Sequence, residues 1–319
     1  MPALPSCWTL TEGAAGMDAQ VRGLARALGL EPVVKRVRVR LPWRVLPGWL
    51  WPSPLAAIAP GGDRLEPPWP DLLITCGRKS AALALGVRKA SGGTTRLVHI
   101  QDPQLDPARF DVVVAPRHDG IAGPNVIISE AAIHPITPAD LEGAADAFRP
   151  LFAALPRPLV GVLIGGATQR QGFGPAAVEA IADQLERLTR EAGAGLAVTP
   201  SRRTGADNIA ILERRLSPLP AYLWNMRDPN PYLGLLALSD HLLVTADSVS
   251  MVSEAVATAK PVYIIDLPGL SARIRAFHAH IQGLGFTRPF SGRLEAWTYT
   301  PPDDTARAAA EIRHRLGWD

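Results

Sequence analysis

Residues 245 to 255, TADSVSMVSEA, place hydroxyl and carboxylate side chains between two apolar runs. If Asp247 is the N-cap of a helix, Ser248 and Ser250 fall in its first turn, where free N–H groups and the helix dipole favour an anion. Capping does not explain Glu254, because Ser250 stands where a capping box would place Glu or Gln. Helical spacing puts Ser250 and Glu254 on one face, which can hold a diphosphate and a ribose. A nucleotide site is therefore predicted, although a helix start that is only capped fits the same residues.

Three other segments of the C-terminal half carry polar side chains directly after apolar runs: LIGGATQRQ, TPSRRTGAD and YLWNMRD. Paired glycines permit a tight loop with inward-facing amides through their freedom at positive φ, and arginines suit bidentate phosphate binding. A simple turn, a solvated charge or a core tryptophan fits these segments as well. The candidate nucleotide-binding residues are Gly165, Gly166, Thr168, Ser201, Arg202, Arg203, Asn225, Asp247, Ser248, Ser250 and Glu254.

Short apolar runs alternate with helix-like segments along most of the chain, which is typical of parallel sheets covered by helices. The strand candidates are SCWTL, EPVVKRVRV, DLLITC, RLVHIQ, DVVVAP and NVIIS, then LVGVLIGG, GLAVTPS, AYLWN, HLLVTAD and PVYIID. The polar segments follow these strands, where ligands bind in open α/β sheets. The sequence predicts two Rossmann-like, doubly wound α/β domains, residues 1–155 and 156–319, facing across a cleft. The last helix can pack back on the first domain.

Several of these segments resemble the family named after the plant mitochondrial-fission (elongated mitochondria) factor, which includes many bacterial proteins. The match runs from GAAGMDAQVRGLA to GFTRPFSGRLE and includes SRRTGADN. That family is similar in fold to GT-B glycosyltransferases, in which the second domain holds most of the nucleotide-sugar. The resemblance implies that Ser248, Ser250 and Glu254 grip the donor's phosphates and ribose. Those enzymes often carry a His in the first glycine loop, where Met17 stands here, so their catalytic assignment does not transfer.

The function predicted from these features is a GT-B-type glycosyltransferase that moves a sugar from a UDP-linked donor to an envelope or lipid-linked acceptor. No Asp-x-Asp motif is present, so no metal or other cofactor is expected, and arginines with the helix dipole would stabilise the leaving group. The alternative is a non-catalytic nucleotide-sugar-binding or adaptor protein, which the missing His favours. A dinucleotide-dependent dehydrogenase is disfavoured because GAAG lacks the Gly-x-Gly-x-x-Gly fingerprint.

A glycosyltransferase also needs a general base on the acceptor side. Asp102 in IQDPQ and Asp119 in PRHDG are the first candidates, and His118 could be the base if Asp119 orients it. A loop His is more often solvated or a cap. The acceptor-side loop candidates, in GAAGMDAQ and GRKSAA, are Gly13, Gly16, Asp18, Gln20 and Arg78.

Composition excludes several other classes. A formal charge of +3 over 319 residues argues against a nucleic-acid binder. Cys7 and Cys76 each end an apolar run, which indicates small core residues in a reducing cytosol rather than a disulfide. The start of the chain lacks a signal-peptide pattern, and no run of about 18 apolar residues occurs. A cytoplasmic location is expected.

The segment from Lys35 to Trp51, KRVRVRLPWRVLPGWLW, differs from the rest of the chain. It first alternates arginines with Val37, Val39 and Leu41 and then becomes rich in proline and tryptophan. A half-buried edge strand with a stiff loop fits this pattern. The alternative is a basic surface that touches anionic lipid head groups or an amphiphilic acceptor at the inner membrane, since Trp favours the membrane interface and Lys and Arg favour its charge.

Overall fold

The structure, a computed structural model, describes residues 4–166 and 173–318. The chain divides into two compact units, of which the first combines Met1–Pro135 with Asp303–Asp319 and the second is Ile136–Pro302. Each unit contains a six-stranded parallel sheet with helices packed on it. The predicted fold class, two Rossmann-like doubly wound α/β units, is confirmed.

The sheet of the first unit has the order β2-β1-β3-β4-β5-β6. Its strands are β1 (Cys7–Thr11), β2 (Val33–Arg36), β3 (Leu72–Cys76), β4 (Arg96–Ile100), β5 (Val112–Pro116) and β6 (Val126–Ser129). Its helices are α1 (Ala15–Ala27), α2 (Arg78–Ala90) and, from the end of the chain, α9 (Asp304–Leu316). Strands β1, β3 and β5 are buried along their whole length, which explains why they read as continuous apolar runs.

The second unit has the strand order β12-β11-β10-β7-β8-β9. Its strands are β7 (Leu159–Ile164), β8 (Gly195–Pro200), β9 (Ala221–Leu223), β10 (His241–Thr245), β11 (Val262–Ile265) and β12 (Thr287–Pro289). Its helices are α3 (Pro138–Phe152), α4 (Pro175–Ala192), α5 (Ala206–Leu216), α6 (Tyr232–Leu238), α7 (Val249–Val256) and α8 (Ala272–Gly283). Read from β9 to β12, this is the Rossmann order 3-2-1-4-5-6.

The division into units differs from the predicted domain boundary at residues 155 and 156. Helix α3 lies in the second unit, where Phe152 packs on Tyr222 with ring centroids 5.6 Å apart. The prolines around residue 156 interrupt the helical pattern because α3 ends there, not because a unit does. Helix α9 lies in the first unit, where Asp304 accepts hydrogen bonds from the N–H groups of Glu130 and Ala131 at 2.9 and 2.8 Å.

Two short elements depart from the sequence pattern. Strand β2 ends at Arg36, and only an isolated bridge from Val39 to Ile58 continues the predicted longer strand. Val37 and Val39 are buried as expected, but Leu41 is exposed because the chain has already turned. Strand β12 was not predicted, since three residues that include Arg and Pro carry no strand signal.

The thiols of Cys7 and Cys76 are buried and unbridged. Burial raises the pKa of Cys7 to about 12, so this thiol stays protonated at neutral pH. None of the helices in the described ranges combines the length and the apolar composition that crossing a bilayer requires.

Candidate functional site

The strand order reverses in the second unit between β7 and β10. In doubly wound sheets, ligands bind beyond the carboxyl ends of the strands at such a switch point. The glycine pair Gly165 and Gly166 directly follows β7, and Asp247 and Ser248 follow β10. The structure therefore brings together two of the segments that the sequence singled out, at the place where a nucleotide binds in this topology.

Asp247 fixes the glycine loop. Its carboxylate accepts hydrogen bonds from the N–H of Gly166 at 3.0 Å and the hydroxyl of Thr245 at 2.7 Å, and it lies 3.4 Å from a guanidinium nitrogen of Arg203. The Thr245 hydroxyl in turn accepts the N–H of Gly165 at 2.8 Å. The side chain of Asp247 is 0% exposed, so it positions the loop instead of reaching a ligand.

The expected reason for the two glycines was wrong. Neither Gly165 nor Gly166 has a positive φ. A Cβ at Gly165 would lie 2.2 Å from the carboxylate oxygens of Asp247, and one at Gly166 would lie 2.1 Å from the backbone of Arg203. Glycine is needed because neighbouring groups approach the backbone this closely.

The N-cap of α7 is Ser248, not Asp247 as the sequence suggested. The Ser248 hydroxyl accepts the N–H of Met251 at 3.4 Å, because the Asp247 side chain is already bonded to the glycine loop. A helix cannot pair the N–H groups of its first residues, and Val249 and Ser250 donate no hydrogen bond to any described residue. Two backbone donors and the positive end of the helix dipole thus remain for an anion at the switch point.

Glu254 lies one helical turn after Ser250 and is partly buried. Its carboxylate accepts a hydrogen bond from the hydroxyl of Tyr232, at the start of α6. Burial raises the pKa of Glu254 to about 7, against the lowering effect of that hydrogen bond. This carboxyl group therefore titrates near neutral pH, and its ionised form can accept hydrogen bonds from a ribose diol.

The loop after β8 is held by Thr204. Its hydroxyl donates to the carbonyl of Gly165 and accepts the N–H of Ser201 at 2.9 Å. The side chain of Arg203 is about half exposed, and Arg202 is exposed. Ser201 and Arg203 therefore lie beside the glycine loop, with Arg202 on the adjoining surface.

The side chain of Asn225 bonds within its own turn and has no hydrogen bond to the loop of Gly165 and Gly166 among the described residues. Its side-chain oxygen accepts the N–H groups of Arg227 and Asp228, and its amide nitrogen donates to the Asp228 carboxylate at 2.8 Å. The Trp224 indole also bonds to this turn, through the carbonyl of Asp228 at 3.0 Å. Both side chains serve a turn after β9. Thr168, another predicted ligand, lies outside the described residues.

Four supporting residues were not among the predicted site residues. Thr204, Thr245 and Tyr232 hold the glycine loop and Glu254, and His278 donates from Nε2 to the carbonyl of Ala246 at 2.8 Å. Burial lowers the pKa of His278, which keeps the ring neutral. Thr245 is the one with a signal in the sequence, since a hydroxyl at the end of an apolar strand faces the polar edge of the sheet.

In the first unit the strand order reverses between β1 and β3. The loop that contains Gly13 follows β1. Asp18 accepts the hydroxyl of Thr11 and lies 2.8 Å from Nε of Arg36, and the N–H of Gly13 donates to Thr11 at 3.0 Å. The Asp18 carboxylate therefore ties the loop to β1 and β2. Gly16 is in the first turn of α1, next to this arrangement.

The loop after β3 approaches α1 closely. Gly77 has φ +92°, and a Cβ there would lie 2.9 Å from the sulfur of Met17. Arg78 begins α2 and is exposed. Gln20 is buried and accepts the side-chain amide of Gln101, after β4, at 3.4 Å.

The three candidates for the general base lie together. The Asp119 carboxylate accepts the N–H of Asp102 at 2.9 Å and lies 3.6 Å from Nε2 of His118. The Asp102 carboxylate accepts the N–H of Gln104 at 2.8 Å. Gln101 and Gln104, on either side, have positive φ values of 79° and 51°, which non-glycine residues adopt rarely. The loops after β4 and β5 are thus joined through Asp119. Among the described residues, no group of three or more His, Cys, Asp or Glu could hold a metal ion.

Several solved structures share this architecture. UDP-GlcNAc 2-epimerase from Methanocaldococcus jannaschii matches with a TM-score of 0.60 at 12% identity, covering 98% of this chain and 99% of that chain. UDP-GlcNAc 2-epimerase from Neisseria meningitidis bound to UDP-GlcNAc gives 0.54 at 14% identity, covering 98% and 99%. The glycotransferase of kitacinnamycin gives 0.53 at 13% identity, covering 99% and 94%. These proteins have the GT-B fold, and the chain shares it.

Relatives were also found by sequence. The mitochondrial fission protein ELM1 of Arabidopsis thaliana is 34% identical over 279 residues, covering 78% of this chain and 65% of that protein. The chain thus spans less than two thirds of this relative's length. A protein of Rickettsia prowazekii is 26% identical over 284 residues, covering 77% of this chain and 80% of the relative. A sequence profile described as mitochondrial fission ELM1 matches residues 15–316. The chain therefore belongs to the mitochondrial fission ELM1 family.

Proposed function

We propose that this protein is a GT-B-type glycosyltransferase that takes a sugar from a UDP-linked donor and transfers it to an envelope or lipid-linked acceptor. The observation that carries the proposal is the start of α7 at the switch point of the second unit. The N–H groups of Val249 and Ser250 are unpaired among the described residues, and Glu254 follows one turn later. Several GT-B neighbours are described as bound to UDP or UDP-GlcNAc, which supports this class of ligand.

Each group of the site has a role in this reaction. The diphosphate lies at the start of α7, where Arg203 adds positive charge. Ser250 and Glu254 form hydrogen bonds with the hydroxyl groups of the sugar donor. The acceptor hydroxyl attacks the anomeric carbon as the bond from that carbon to the diphosphate breaks. The helix dipole and the arginine stabilise the charge on the leaving diphosphate, so the residues of this chain replace a metal in that role.

The reaction also needs a base that takes the proton of the acceptor hydroxyl. Asp102 and Asp119 are the first candidates for this base. His118 is the third, because its Nε2 lies 3.6 Å from the Asp119 carboxylate, which can orient the imidazole. Asp119 also holds the backbone of Asp102, so it has a positioning role even where Asp102 or His118 takes the proton. In this proposal the glycine loop with Gly13, Gly16, Asp18, Gln20 and Arg78 shapes the acceptor side.

The donor site is tested by titrating UDP and UDP-GlcNAc calorimetrically into wild type and Glu254→Ala. We work at about pH 8, where Glu254, with its pKa of about 7, is mainly ionised. Losing a charge-assisted hydrogen bond should cost roughly 1.5–3 kcal/mol, or about 10- to 150-fold in affinity. Ser250→Ala should weaken binding less, because it removes a neutral partner.

The matched control is Glu191→Ala, an exposed carboxylate of the same unit, at the end of α4. Melting temperatures of all variants check the fold. Equal affinities for wild type and Glu254→Ala would refute the assigned role of Glu254. Binding of neither nucleotide would refute the UDP assignment. Product analysis with bound UDP-GlcNAc then separates transfer from epimerisation of the donor.

A non-catalytic nucleotide-sugar-binding or adaptor protein is the second candidate. It is favoured by how many predicted ligands are already bonded within the protein: Asp247 to the glycine loop, Asn225 to its own turn and Glu254 to Tyr232. Nucleotide binding without hydrolysis, transfer or epimerisation in a screen of acceptors would select this candidate.

A further inference from the structure

The segment after β2 is folded against the first unit. Its backbone forms a turn, in which the N–H of Arg44 donates to the carbonyl of Arg40 at 3.0 Å, and a short 3-10 helix, Gly48–Leu50, follows. Trp51 is buried, and its ring lies 6.1 Å from that of Trp43. A Cβ at Gly48 would lie 3.1 Å from the side chain of Ala82 in α2. The segment is therefore an ordered part of the fold with its own inward-facing anchors.

The same segment also points apolar side chains at solvent. Leu41, Val45, Trp49 and Leu50 are 65%, 68%, 67% and 44% exposed. They are four of the nine large apolar side chains found exposed in the described residues, within ten positions of the chain. Because Trp43 and Trp51 already anchor the segment, packing of the core does not explain these four.

Cations accompany the exposed apolar groups. Arg38, Arg40 and Arg44 are exposed, and none has a carboxylate partner among the described residues. The chain contains no Asp or Glu between Glu31 and Asp63. A backbone hydrogen bond joins Arg40 to Arg44, and the four exposed apolar side chains fall in the ten positions from 41 to 50. Arginines and exposed apolar side chains thus share one stretch of chain that contains no acidic residue of its own.

We propose that this surface, made of Arg40, Leu41, Arg44, Val45, Trp49 and Leu50, docks the protein on an anionic phospholipid bilayer. Trp sits at the boundary between head groups and acyl chains, and Arg can bury its stem there while its guanidinium reaches lipid phosphates. Apolar burial and attraction to anionic lipid together set the strength of such binding. The occupant is a bilayer rather than a second copy of the chain, because a two-fold contact would press the unpaired arginines of two copies together.

Co-sedimentation of the full chain with vesicles tests the proposal. One set of vesicles contains phosphatidylcholine alone, and the other mixes it with phosphatidylglycerol. Wild type should bind the mixed vesicles, less so as salt rises, and bind the neutral ones weakly. Arg40→Gln/Arg44→Gln should bind mixed vesicles about tenfold or more weakly, since each basic group near the surface contributes to attraction. Val45→Ser/Trp49→Ser should lose binding to both.

Matched controls separate this surface from general effects. Arg64→Gln/Arg190→Gln removes two exposed cations elsewhere, and Leu284→Ser removes an exposed apolar side chain of the second unit. These variants should bind as wild type does. Affinity for UDP should stay unchanged in all variants, so failure of membrane docking can be told from failure of the proposed donor site.

Insertion has its own readout. Lipids brominated on their acyl chains should quench part of the tryptophan fluorescence of wild type, and Trp49→Phe should lose that part. No sedimentation of wild type with mixed vesicles, or equal sedimentation of wild type and both surface variants, overturns the proposal. It is also overturned if wild type is a dimer in sedimentation velocity that Val45→Ser/Trp49→Ser makes monomeric without any lipid binding.

Discussion

Two carboxylates of the switch-point region illustrate how environment divides roles between similar residues. Asp247 is fully shielded and bonded to a hydroxyl, a backbone N–H and a guanidinium. Glu254 has the hydroxyl of Tyr232 as its hydrogen-bond partner among the described residues, and burial raises its pKa to about 7. The first carboxylate is a fixed part of the loop, whereas the second has capacity for further donors. A ligand hydroxyl that reaches Glu254 would favour its ionised form.

The raised pKa of Glu254 predicts a pH dependence of stability. The unfolded chain ionises this group near its ordinary value of 4.5 and the folded protein near 7. Between these values the folded state holds a proton that the unfolded state has released, so the free energy of unfolding falls as pH rises. The contribution is full below about pH 4.5, is lost by about pH 7, and amounts to roughly 3 kcal/mol. Urea unfolding across this window measures it.

Glu254→Gln should remove this dependence, because the amide stays neutral at every pH and can still accept the hydroxyl of Tyr232. Glu191→Gln, at an exposed position, should keep the profile of wild type. If Glu254→Gln and wild type show the same slope of stability between pH 4.5 and 7, burial of Glu254 does not control its protonation.

At the level of residues, the sequence predicted positions better than partners. The polar cluster after β10 was found because hydroxyls follow an apolar run. Its hydrogen bonds were not predicted. Ser248 rather than Asp247 is the N-cap because the Asp247 carboxylate accepts the N–H of Gly166, which lies 81 residues away in the sequence. Tyr232, 22 residues from Glu254, has the pattern of an ordinary helix start. Such pairings are set by packing between elements, which local spacing does not contain.

At the level of elements, buried parallel strands were readable because both faces of the sheet are covered and nearly every residue is apolar. Edge elements were harder. Strand β9, short and partly exposed, was predicted from AYLWN, whereas β12, also of three residues, was not. Helix α3 belongs to the second unit through contacts with α6 that its own sequence does not reveal.

The contact between α3 and α6 predicts an asymmetry between two glycines. A Cβ at Gly234, in α6, would lie 2.4 Å from the Cβ of Phe148, in α3, whereas one at Gly143 meets no atom within 4 Å. Gly234→Ala should therefore destabilise the protein by about 1–3 kcal/mol through overpacking. Gly143→Ala should stabilise it by about 0.5–1 kcal/mol, since alanine loses less backbone freedom in a helix. Thermal and urea unfolding of both variants measure these changes.

Phe148→Ala tests the assignment of the clash. Combined with Gly234→Ala, it should destabilise less than the sum of the two single changes, because removing the ring leaves room for the new methyl group. Strictly additive effects, or a Gly234→Ala variant as stable as wild type, would show that α3 and α6 do not approach this closely.

At the level of the whole molecule, the first unit is built from both ends of the chain. Helix α9 returns to it, and Arg313 donates to the carbonyl of Ala27 at 2.6 Å. Asp304, at the start of α9, bonds to backbone groups 173 and 174 residues earlier. Contacts between residues this far apart in the sequence leave no local pattern. The sequence analysis therefore predicted that the last helix can pack on the first unit, but not which groups bind it there.

Asp304 should therefore stabilise the first unit specifically. Its buried carboxylate accepts the N–H groups of Glu130 and Ala131 and pairs with Arg307, so Asp304→Ala leaves buried donors unpaired and should cost roughly 2–4 kcal/mol. In hydrogen exchange, the amides of β5, β6 and α9 should lose protection, while those of β7 and β10 keep it and UDP affinity is unchanged. Asp303→Ala, at the exposed neighbouring position with no side-chain cap bond, should match wild type. Equal loss of protection in the strands of both units would mean that the stabilising effect of the returning helix is not confined to the unit that it completes.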